Sequence, residues 1–342
     1  MKVMAHSTAG LALRKSGARV IYSRHSSLHE IPWKVLAIAL VVAAYYLPAT
    51  SQALPQDAAA LAAGALPTFR SQVDEVNVVF TVTNKHGHFV HNLSENDLAV
   101  LDNDHPPEKI TYFQSQTDLP LRVALVIDSS DSVTNRFAFE RKSALAFLKR
   151  VLRPKSDLGL VIGFNQQIHV TQAATANLDL LAHGLRELHP SGETAIYDAV
   201  IVACQHLAKV KDAEPSRRVV ILITDGEDNR SHIGLQQAVD AALRSETVVY
   251  VLSTNPEYSI DLAEQGDKDM KRLSEATGGR LLRASDEDSV SGAFTRLEKE
   301  LRSQYALGYK PAPGHADGLF HRLTVLGPRK LKIFHRLGYF AR

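Results

Sequence analysis

The 342-residue sequence has only one cysteine, Cys204, so no disulfide can form within the chain. Cys204 lies in the segment AVIVACQHLAKV, whose apolar spacing is typical of an amphipathic helix. We therefore interpret it as a small buried residue and not as a catalytic thiol. The chain also lacks an excess of either charge, with 39 Lys and Arg against 37 Asp and Glu. This balance gives no whole-molecule field that would attract nucleic acid.

Several motifs of catalysis and cofactor binding are missing as well. The sequence has neither a GxSxG nucleophile elbow nor a GxxxxGK[ST] phosphate loop. A polar DSSDS segment follows the first strand of the α/β region, where a dinucleotide-binding protein would have glycines. His86 and His88 have no third ligand at a usable spacing, and HExxH does not occur, which argues against zinc. These absences favour a protein that is not an enzyme.

The N-terminal 53 residues have the layout of a targeting segment. Six basic residues and one acid precede the uncharged apolar run 35–47. This run is shorter than the ~20 residues that a membrane span usually needs. Pro48 follows it, and Ser51 and Ala53 then provide the small residues of a cleavage site. Residues 1–53 are therefore predicted to be a signal peptide or an N-terminal membrane anchor. In either case we expect an exported protein, periplasmic or secreted, or held in the inner membrane by this segment.

The next two segments are expected to be a linker and the beginning of a β-sandwich. Residues 54–70 are rich in alanine and have no clear amphipathic period. Within residues 71–119, four apolar residues alternate with other side chains, as in a half-buried strand, and residues 84–87 supply a turn that predicts a hairpin. The four alternating residues are Val76, Val78, Phe80 and Val82.

Residues 120–301 predict an α/β domain with a doubly wound, Rossmann-like sheet of six strands. The apolar runs are continuous rather than alternating, which is typical of parallel strands covered on both faces. Helical segments separate most of the runs, and the first of them is expected at residues 137–152, before Pro154. The second and third runs are too close for a crossover helix, so we expect them to pair antiparallel at a sheet edge. The six runs are residues 123–127, 158–164, 168–170, 219–224, 248–253 and 279–285.

Residues 302–342 contain three further strand-like segments, at 305–309, 319–326 and 331–340. Isolated hairpins are marginally stable in water, so these strands need a partner. We expect them to join residues 71–119 in one small discontinuous β-sandwich, which the α/β domain interrupts.

Polar residues follow two strands of the predicted sheet. The first strand ends at Asp128 and continues into Ser130 and Ser132, and the fourth ends at Asp225. In the strand order 3-2-1-4-5-6, strands 1 and 4 are neighbours, so Asp128 and Asp225 would meet at the carboxyl edge. Thr194 opens a further helix in the turn SGETA.

Carboxylate and hydroxyl oxygens at one edge suit Mg²⁺ or Mn²⁺. Individually, the serines and Thr194 are also ordinary helix caps, and Asp225-Gly226 is also an ordinary turn. Five such residues in three loops favour a metal site. Three nearby acids are expected to form a solvated rim or to support the ligands from behind; they are Asp131, Glu227 and Asp228.

These motifs resemble the metal-ion-dependent adhesion site (MIDAS) of von Willebrand factor A (VWFA) and integrin I domains. The resemblance implies a divalent cation with an open coordination position for a carboxylate of a partner. The flanking segments, including NVVFTVTNKHGHFVHNLSENDLAVLDNDHPPEKITYF and LRSQYALGYKP, are similar to a bacterial exported family of VWFA-related proteins with a flanking β module. The metal ligands implied are Asp128, Ser130, Ser132, Thr194 and Asp225.

The expected function is therefore metal-ion-dependent protein–protein recognition or adhesion. Two other functions stay open. A hydrolase would use the metal to activate water, or Ser130 or Ser132 as a nucleophile. A structural scaffold would bind no metal at all.

Overall fold

The computed structural model describes residues 75–115, 119–212, 215–255, 261–314 and 317–341. The predicted signal or anchor segment and the alanine-rich linker lie outside these residues. In the part of the chain that is described, none of the helices has the length and apolar character required to cross a membrane.

The helices and strands of the described residues are numbered in chain order. The helices are α1 (Thr134–Val151), α2 (Leu178–Arg186), α3 (Ile196–Lys209), α4 (Leu235–Arg244), α5 (Asp261–Ala276) and α6 (Glu287–Leu301). The strands are β1 (Val76–Asn84), β2 (Ala99–Asp102), β3 (Lys109–Gln114), β4 (Leu121–Asp128), β5 (Leu158–Phe164), β6 (Ile168–Thr175), β7 (Arg217–Thr224), β8 (Thr247–Ser253), β9 (Leu281–Arg283), β10 (Gln304–Lys310), β11 (Phe320–Leu326), β12 (Leu331–Phe334) and β13 (Gly338–Phe340).

Six strands of the described residues form the central sheet, in the order β6-β5-β4-β7-β8-β9. Numbered within the α/β domain, this order is 3-2-1-4-5-6, as predicted. β5 and β6 pair antiparallel at one edge, and the other neighbouring strands are parallel. The doubly wound α/β fold expected from the sequence is therefore confirmed.

Helices cover both faces of this sheet, which explains why its strands are continuously apolar. All eight residues of β4 are buried, and successive side chains enter opposite cores. Leu125 packs with residues of α1, α2 and α6, whereas Val126 packs with residues of α3, α4 and α5. Cys204 of α3 lies in the second core, where burial raises the pKa of its thiol to about 11. It is thus a packing residue, as its sequence context indicated.

The flanking segments form two small sheets that share a third core. One sheet has the order β12-β1-β10-β3 and the other β13-β11-β2. Alternate residues of β1 and β10 face the second sheet, and Phe80 stacks on Tyr305 with ring centroids 5.3 Å apart. The small discontinuous sandwich is therefore built from chain segments that precede and follow the α/β domain in the sequence.

Three local predictions differ in detail from the structure. The hairpin expected after β1 is short: the Asn84 amide donates to the His88 carbonyl and the Val90 amide to the Val82 carbonyl (2.9 Å each), around one bridge between Thr83 and Phe89, and the rest of β1 pairs with β10 and β12. The segment 331–340 is divided into β12 and β13, which belong to different sheets. The helix expected at 137–152 begins at Thr134, directly after a short 3-10 turn.

A buried polar cluster joins the two sheets of the sandwich. Asp102 at the end of β2 is 1% exposed and accepts hydrogen bonds from the hydroxyls of Tyr309 (2.9 Å) and Tyr339 (2.7 Å). Its other oxygen lies 3.0 Å from Nδ1 of His321. One carboxylate therefore connects β2, β10, β11 and β13.

The sandwich packs against the α/β domain through both polar and aromatic contacts. The backbone amide of Leu337 donates to the carbonyl of Ala276 at the end of α5 (2.9 Å). The Arg244 guanidinium of α4 lies over the ring of Phe340, 3.5 Å from its centroid. These contacts hold the sandwich beside the amino ends of β7 and β8.

Candidate metal-binding site

The ends of β4 and β7 bring the two predicted aspartates to one edge of the sheet. Asp128 is the last residue of β4, and Asp225 directly follows the neighbouring strand β7. Asp128 accepts one hydrogen bond from the Thr224 hydroxyl (2.7 Å) and another from the backbone amide of Ser130 (2.9 Å). Its carboxylate is thus oriented by the neighbouring strand β7 and by the loop that follows β4.

The two predicted serines lie side by side on the loop after β4. Their hydroxyl oxygens are 3.0 Å apart. Ser130 is buried, whereas Ser132 is exposed, so the crevice opens to solvent on the side of Ser132.

Backbone hydrogen bonds tie the first loop to the second, which carries Thr194. The amide of Asp131 donates to the carbonyl of Gly192 (2.9 Å), and the amide of Ser191 donates to the carbonyl of Ser129 (2.8 Å). Gly192 has a φ of 75°, a conformation that favours glycine, and a Cβ there would meet the Gln166 side chain. The backbone conformation and the close approach of Gln166 together explain why this position of the SGETA turn is a glycine.

The second loop is tied in turn to the third, which carries Asp225. The Thr194 amide donates to the side-chain oxygen of Asn229 (2.9 Å), and the Asn229 amide donates back to the Thr194 carbonyl (3.1 Å). The structure therefore assembles the five predicted residues on three mutually hydrogen-bonded loops at one edge of the sheet.

The paired carboxylates alter the electrostatics of the crevice. Asp128 is fully buried, and burial together with the nearby charge of Asp225 raises the pKa of Asp128 to about 6. Two like charges in one crevice repel unless a cation lies between or beside them.

Two charged residues of α1, Arg136 and Glu140, also belong to the crevice and were missed from the sequence. Arg136 Nη2 donates to Asp225 Oδ2 (2.8 Å), and Arg136 Nε lies 3.2 Å from Glu140 Oε1. Glu140 is 1% exposed. Burial raises its pKa to about 7, against the opposing effect of Arg136. One feature of the sequence could have identified them. They form a charged i,i+4 pair, and the acid lies on the apolar face of α1, beside Phe137 and Ala144.

The donor atoms suit a hard divalent cation. Carboxylate and hydroxyl oxygens are the ligands that Mg²⁺ and Mn²⁺ prefer. Asp225 Oδ1 is buried and has no hydrogen-bond partner within the described part of the chain, which is costly for a carboxylate oxygen. A cation bound at Oδ1 would remove that cost while Arg136 keeps Oδ2. The residues present therefore fit a bound metal.

The three neighbouring acids do not have equivalent positions. Asp131 and Glu227 are exposed, as expected for a rim. Asp228 is half-buried and accepts hydrogen bonds from the Ile196 amide (2.7 Å) and the Ser231 hydroxyl (2.6 Å). Asp228 thus caps the first turn of α3, just after Thr194, so its position fits the supporting role and not the solvated rim.

The fold and the crevice define a class of protein. It is a doubly wound α/β domain whose polar loops are hydrogen-bonded to one another at the carboxyl edge of the sheet. Residues 123–227 match the family model of the von Willebrand factor type A domain. The chain therefore contains a VWFA domain, and the predicted resemblance to this domain is confirmed. A domain of this type indicates a protein–protein interaction or adhesion module.

One curated relative is a "UPF0353 protein" of Mycolicibacterium paratuberculosis, 25% identical over 230 residues. The match covers 59% of this chain and 66% of the relative, slightly under two thirds of its length.

Similar solved structures include BatB from Bacteroides thetaiotaomicron, with 19% identity, 54% of this chain and 100% of that chain covered, and a TM-score of 0.43. An aerotolerance-related membrane protein from Bacteroides fragilis has 20% identity, coverages of 53% and 98%, and a TM-score of 0.42. A von Willebrand factor type A protein from Catenulispora acidiphila has 10% identity, coverages of 77% and 73%, and a TM-score of 0.45.

Proposed function

We propose that this protein is an exported recognition module, not an enzyme, whose VWFA domain binds an acidic group of a protein partner through Mg²⁺ or Mn²⁺. The metal ligands would be Asp128, Ser130, Ser132, Thr194 and Asp225. The observation that carries the proposal is the crevice between β4 and β7, in which the buried Asp225 Oδ1 accepts no hydrogen bond from any residue that the structure describes and lies near a second buried carboxylate, that of Asp128.

The chain's own residues would hold and position the cation. The Thr224 hydroxyl and the Ser130 amide fix the Asp128 carboxylate, so it loses little freedom on binding. The hydrogen bonds among the three loops keep the hydroxyl donors in place. A bound divalent cation would supply the positive charge that attracts a carboxylate of the partner.

The surroundings of the two serines support a binding role over hydrolysis. Nucleophilic catalysis by a serine needs a base within hydrogen-bond reach. Among the hydrogen bonds of the described residues, neither Ser130 nor Ser132 contacts a histidine. A hydrolase would instead use this site by letting the metal activate a water molecule. Hydrolysis assays with Mg²⁺ present test this alternative.

Isothermal titration calorimetry with MgCl₂ and MnCl₂ tests the metal site. We expect the wild type to bind and Asp225→Asn to bind at least about tenfold more weakly, because a ligand charge is lost. Asp131→Asn is the matched control, since Asp131 is an exposed acid on the same loops and should leave the affinity unchanged. No binding by the wild type, or equal binding by Asp225→Asn, contradicts the proposal.

Affinity capture from an envelope fraction tests recognition. The purified chain is immobilised in Mg²⁺, and bound proteins are eluted with EDTA. We expect EDTA to release a partner that Asp225→Asn does not capture and Asp131→Asn does. Equal capture by all three proteins, insensitive to EDTA, would instead support the metal-free scaffold.

Export is supported by the layout of residues 1–53. N-terminal sequencing of the mature protein distinguishes a cleaved signal peptide from a membrane anchor. A chain that begins after Ala53 indicates a cleaved signal, and a chain that begins before Val35 indicates an anchor.

A further inference from the structure

One end of the sandwich is formed by the turn that connects β11 to β12, which we call the sandwich tip (residues 326–332). Leu326, the last residue of β11, pairs with Ala99 of β2 in one sheet. Leu331, the first residue of β12, pairs with Asn84 of β1 in the other sheet. Strands of both sheets therefore fix the position of the tip.

The tip presents three basic side chains to solvent. The Leu331 amide donates to the Pro328 carbonyl (2.9 Å), which places Arg329 and Lys330 at the two central positions of a β-turn. Both residues are exposed, and so is Lys332 in β12. Among the described residues, none of the three basic side chains forms an ion pair with an acid. Their charges are therefore available to an external anion.

Apolar side chains lie beside these cations. Leu326 is on the outward face of β11 and is 48% exposed, and Pro328 is also exposed. Aliphatic surface is stabilised when it leaves water for the acyl boundary of a membrane, while neighbouring Lys and Arg side chains keep their charges at the anionic headgroups. We propose that the sandwich tip binds the surface of an anionic lipid membrane, with Leu326 at the acyl boundary and the three basic side chains at the headgroups.

Two acids of the described chain lie close to the tip, on the segment before β2. A Cβ at Gly327 would lie 3.8 Å from the Asp97 carbonyl oxygen. The Asp97 carboxylate accepts hydrogen bonds from the Ser94 amide (2.8 Å) and hydroxyl (2.7 Å), and Glu95 is exposed. Neither acid forms an ion pair with a basic side chain of the tip. Lys85, in the turn after β1, adds another exposed cation at this end of the sandwich.

An acidic segment of a protein is the alternative ligand for these cations. Such a segment would pair with the basic side chains but would leave Leu326 in water. A lipid surface engages both kinds of side chain at once, because its headgroups carry the charge and its acyl chains lie directly beneath them. The exposed apolar surface beside unpaired cations therefore favours a membrane.

The metal site remains accessible when the tip contacts a membrane. Asp225 is at the carboxyl edge of the central sheet, whereas the sandwich packs beside the amino ends of β7 and β8. The inference adds a membrane contact to the proposed export and does not require the bound cation. Asp225→Asn should therefore leave vesicle binding unchanged, so the two proposals fail independently.

A tryptophan at the tip measures its contact with lipid. Trp33 is the only tryptophan of the sequence, so Leu326→Trp in a Trp33→Phe background is a single fluorescent probe. The full chain is mixed with vesicles of phosphatidylglycerol or of phosphatidylcholine. With phosphatidylglycerol alone, we expect the emission to move to shorter wavelength and brominated lipids to quench it. If Leu326→Trp does not fold, Pro328→Trp places the probe in the same exposed turn.

Leu180→Trp in the same Trp33→Phe background is the matched control. Leu180 is 46% exposed, close to the exposure of Leu326, but it lies on α2 beside the acid Asp179. Its emission should stay unchanged with either lipid. Because each probe reports only its own surroundings, membrane insertion of the apolar run 35–47 does not produce the expected difference between them.

Removal of the three charges tests their contribution. In the Leu326→Trp chain it should weaken binding to phosphatidylglycerol vesicles at least about tenfold, and high salt should also weaken binding. The changes are Arg329→Gln, Lys330→Gln and Lys332→Gln. Removal of three exposed cations of α5 changes the net charge equally and should leave binding unchanged. These control changes are Lys268→Gln, Lys271→Gln and Arg272→Gln.

The proposal is overturned if the tip probe does not respond to phosphatidylglycerol, if phosphatidylcholine gives the same response, or if the Leu180→Trp probe responds equally. It is also overturned if the tip and α5 charge variants bind vesicles equally. A response to poly-glutamate as large as the response to vesicles overturns it in favour of an acidic protein partner.

Discussion

Arg136 is a charged residue that contacts two acids in the crevice at the ends of β4 and β7. Its guanidinium lies between the carboxylates of Asp225 and Glu140 and neutralises charge that a metal would otherwise meet. A metal and Arg136 would therefore compete for the negative charge of Asp225. In the absence of metal, the same guanidinium limits the repulsion among three buried acids.

We predict opposite effects of Arg136→Met on stability and on metal affinity. The metal-free variant should melt at a lower temperature, because Glu140 and Asp225 lose their cation. Its Mg²⁺ affinity should rise by about tenfold, or ~1.4 kcal/mol, because a competing charge is removed. Calorimetry and thermal melts with and without Mg²⁺ measure both quantities.

Arg141→Met provides the control for that prediction. Arg141 is on the same helix but packs near the ring of Phe137, away from Asp225. Its substitution should leave the Mg²⁺ affinity unchanged. An unchanged or lower affinity in Arg136→Met would show that Arg136 does not compete with the metal.

The positions of the predicted ligands can be read from the sequence more directly than those of Arg136 and Glu140. Asp128 and Asp225 end apolar strands, so strand order alone places them together. Arg136 and Glu140 depend on where α1 begins and on how it rotates toward the crevice. The apolar spacing placed the start of α1 at residue 137, which left Arg136 outside the helix and its direction undefined.

At the scale of whole elements, the central sheet was predictable because local features restrict its topology. Continuous apolar runs required helices on both faces, and the short β5–β6 connection allowed only antiparallel pairing. The partners of β1 were harder to predict. Alternation of apolar residues determines which face of a strand is buried, but it does not identify the neighbouring strand. The partners of β1 come from residues more than two hundred positions away.

The elements of the sandwich are held together by a polar cluster that the sequence analysis did not identify. We predict that Asp102→Asn lowers the free energy of unfolding by about 2–4 kcal/mol, because the buried carboxylate that accepts bonds from Tyr309 and Tyr339 is lost. Asp104→Asn should change it by less than about 1 kcal/mol, because the pair of Asp104 with Arg322 is exposed. Urea denaturation of both variants measures the difference. Equal stabilities would show that the cluster does not hold the sheets together.

For the whole molecule, the strand pairing means that the sandwich requires chain segments from both sides of the VWFA domain. β1 lies between β10 and β12, and β2 pairs with β11. The VWFA domain, in contrast, buries its two main cores mostly with its own helices and strands. A truncation after Leu301 removes the strands that pair with β1 and β2, namely β10, β11 and β12, but keeps all six strands of the central sheet.

Because the sandwich needs the C-terminal strands and the VWFA domain does not, we predict that residues 71–301 form a less soluble fragment than residues 120–301. Residues 120–301 should fold, with reduced stability because Arg217 loses Gln304. Residues 71–301 should aggregate, because β1 then exposes Val78, Phe80 and Val82 on an unpaired strand. Size-exclusion chromatography and circular dichroism of the two fragments compare them directly. If residues 71–301 are monomeric and unfold as cooperatively as residues 120–301, the N-terminal strands do not need the C-terminal segment, and the sandwich is not a shared unit.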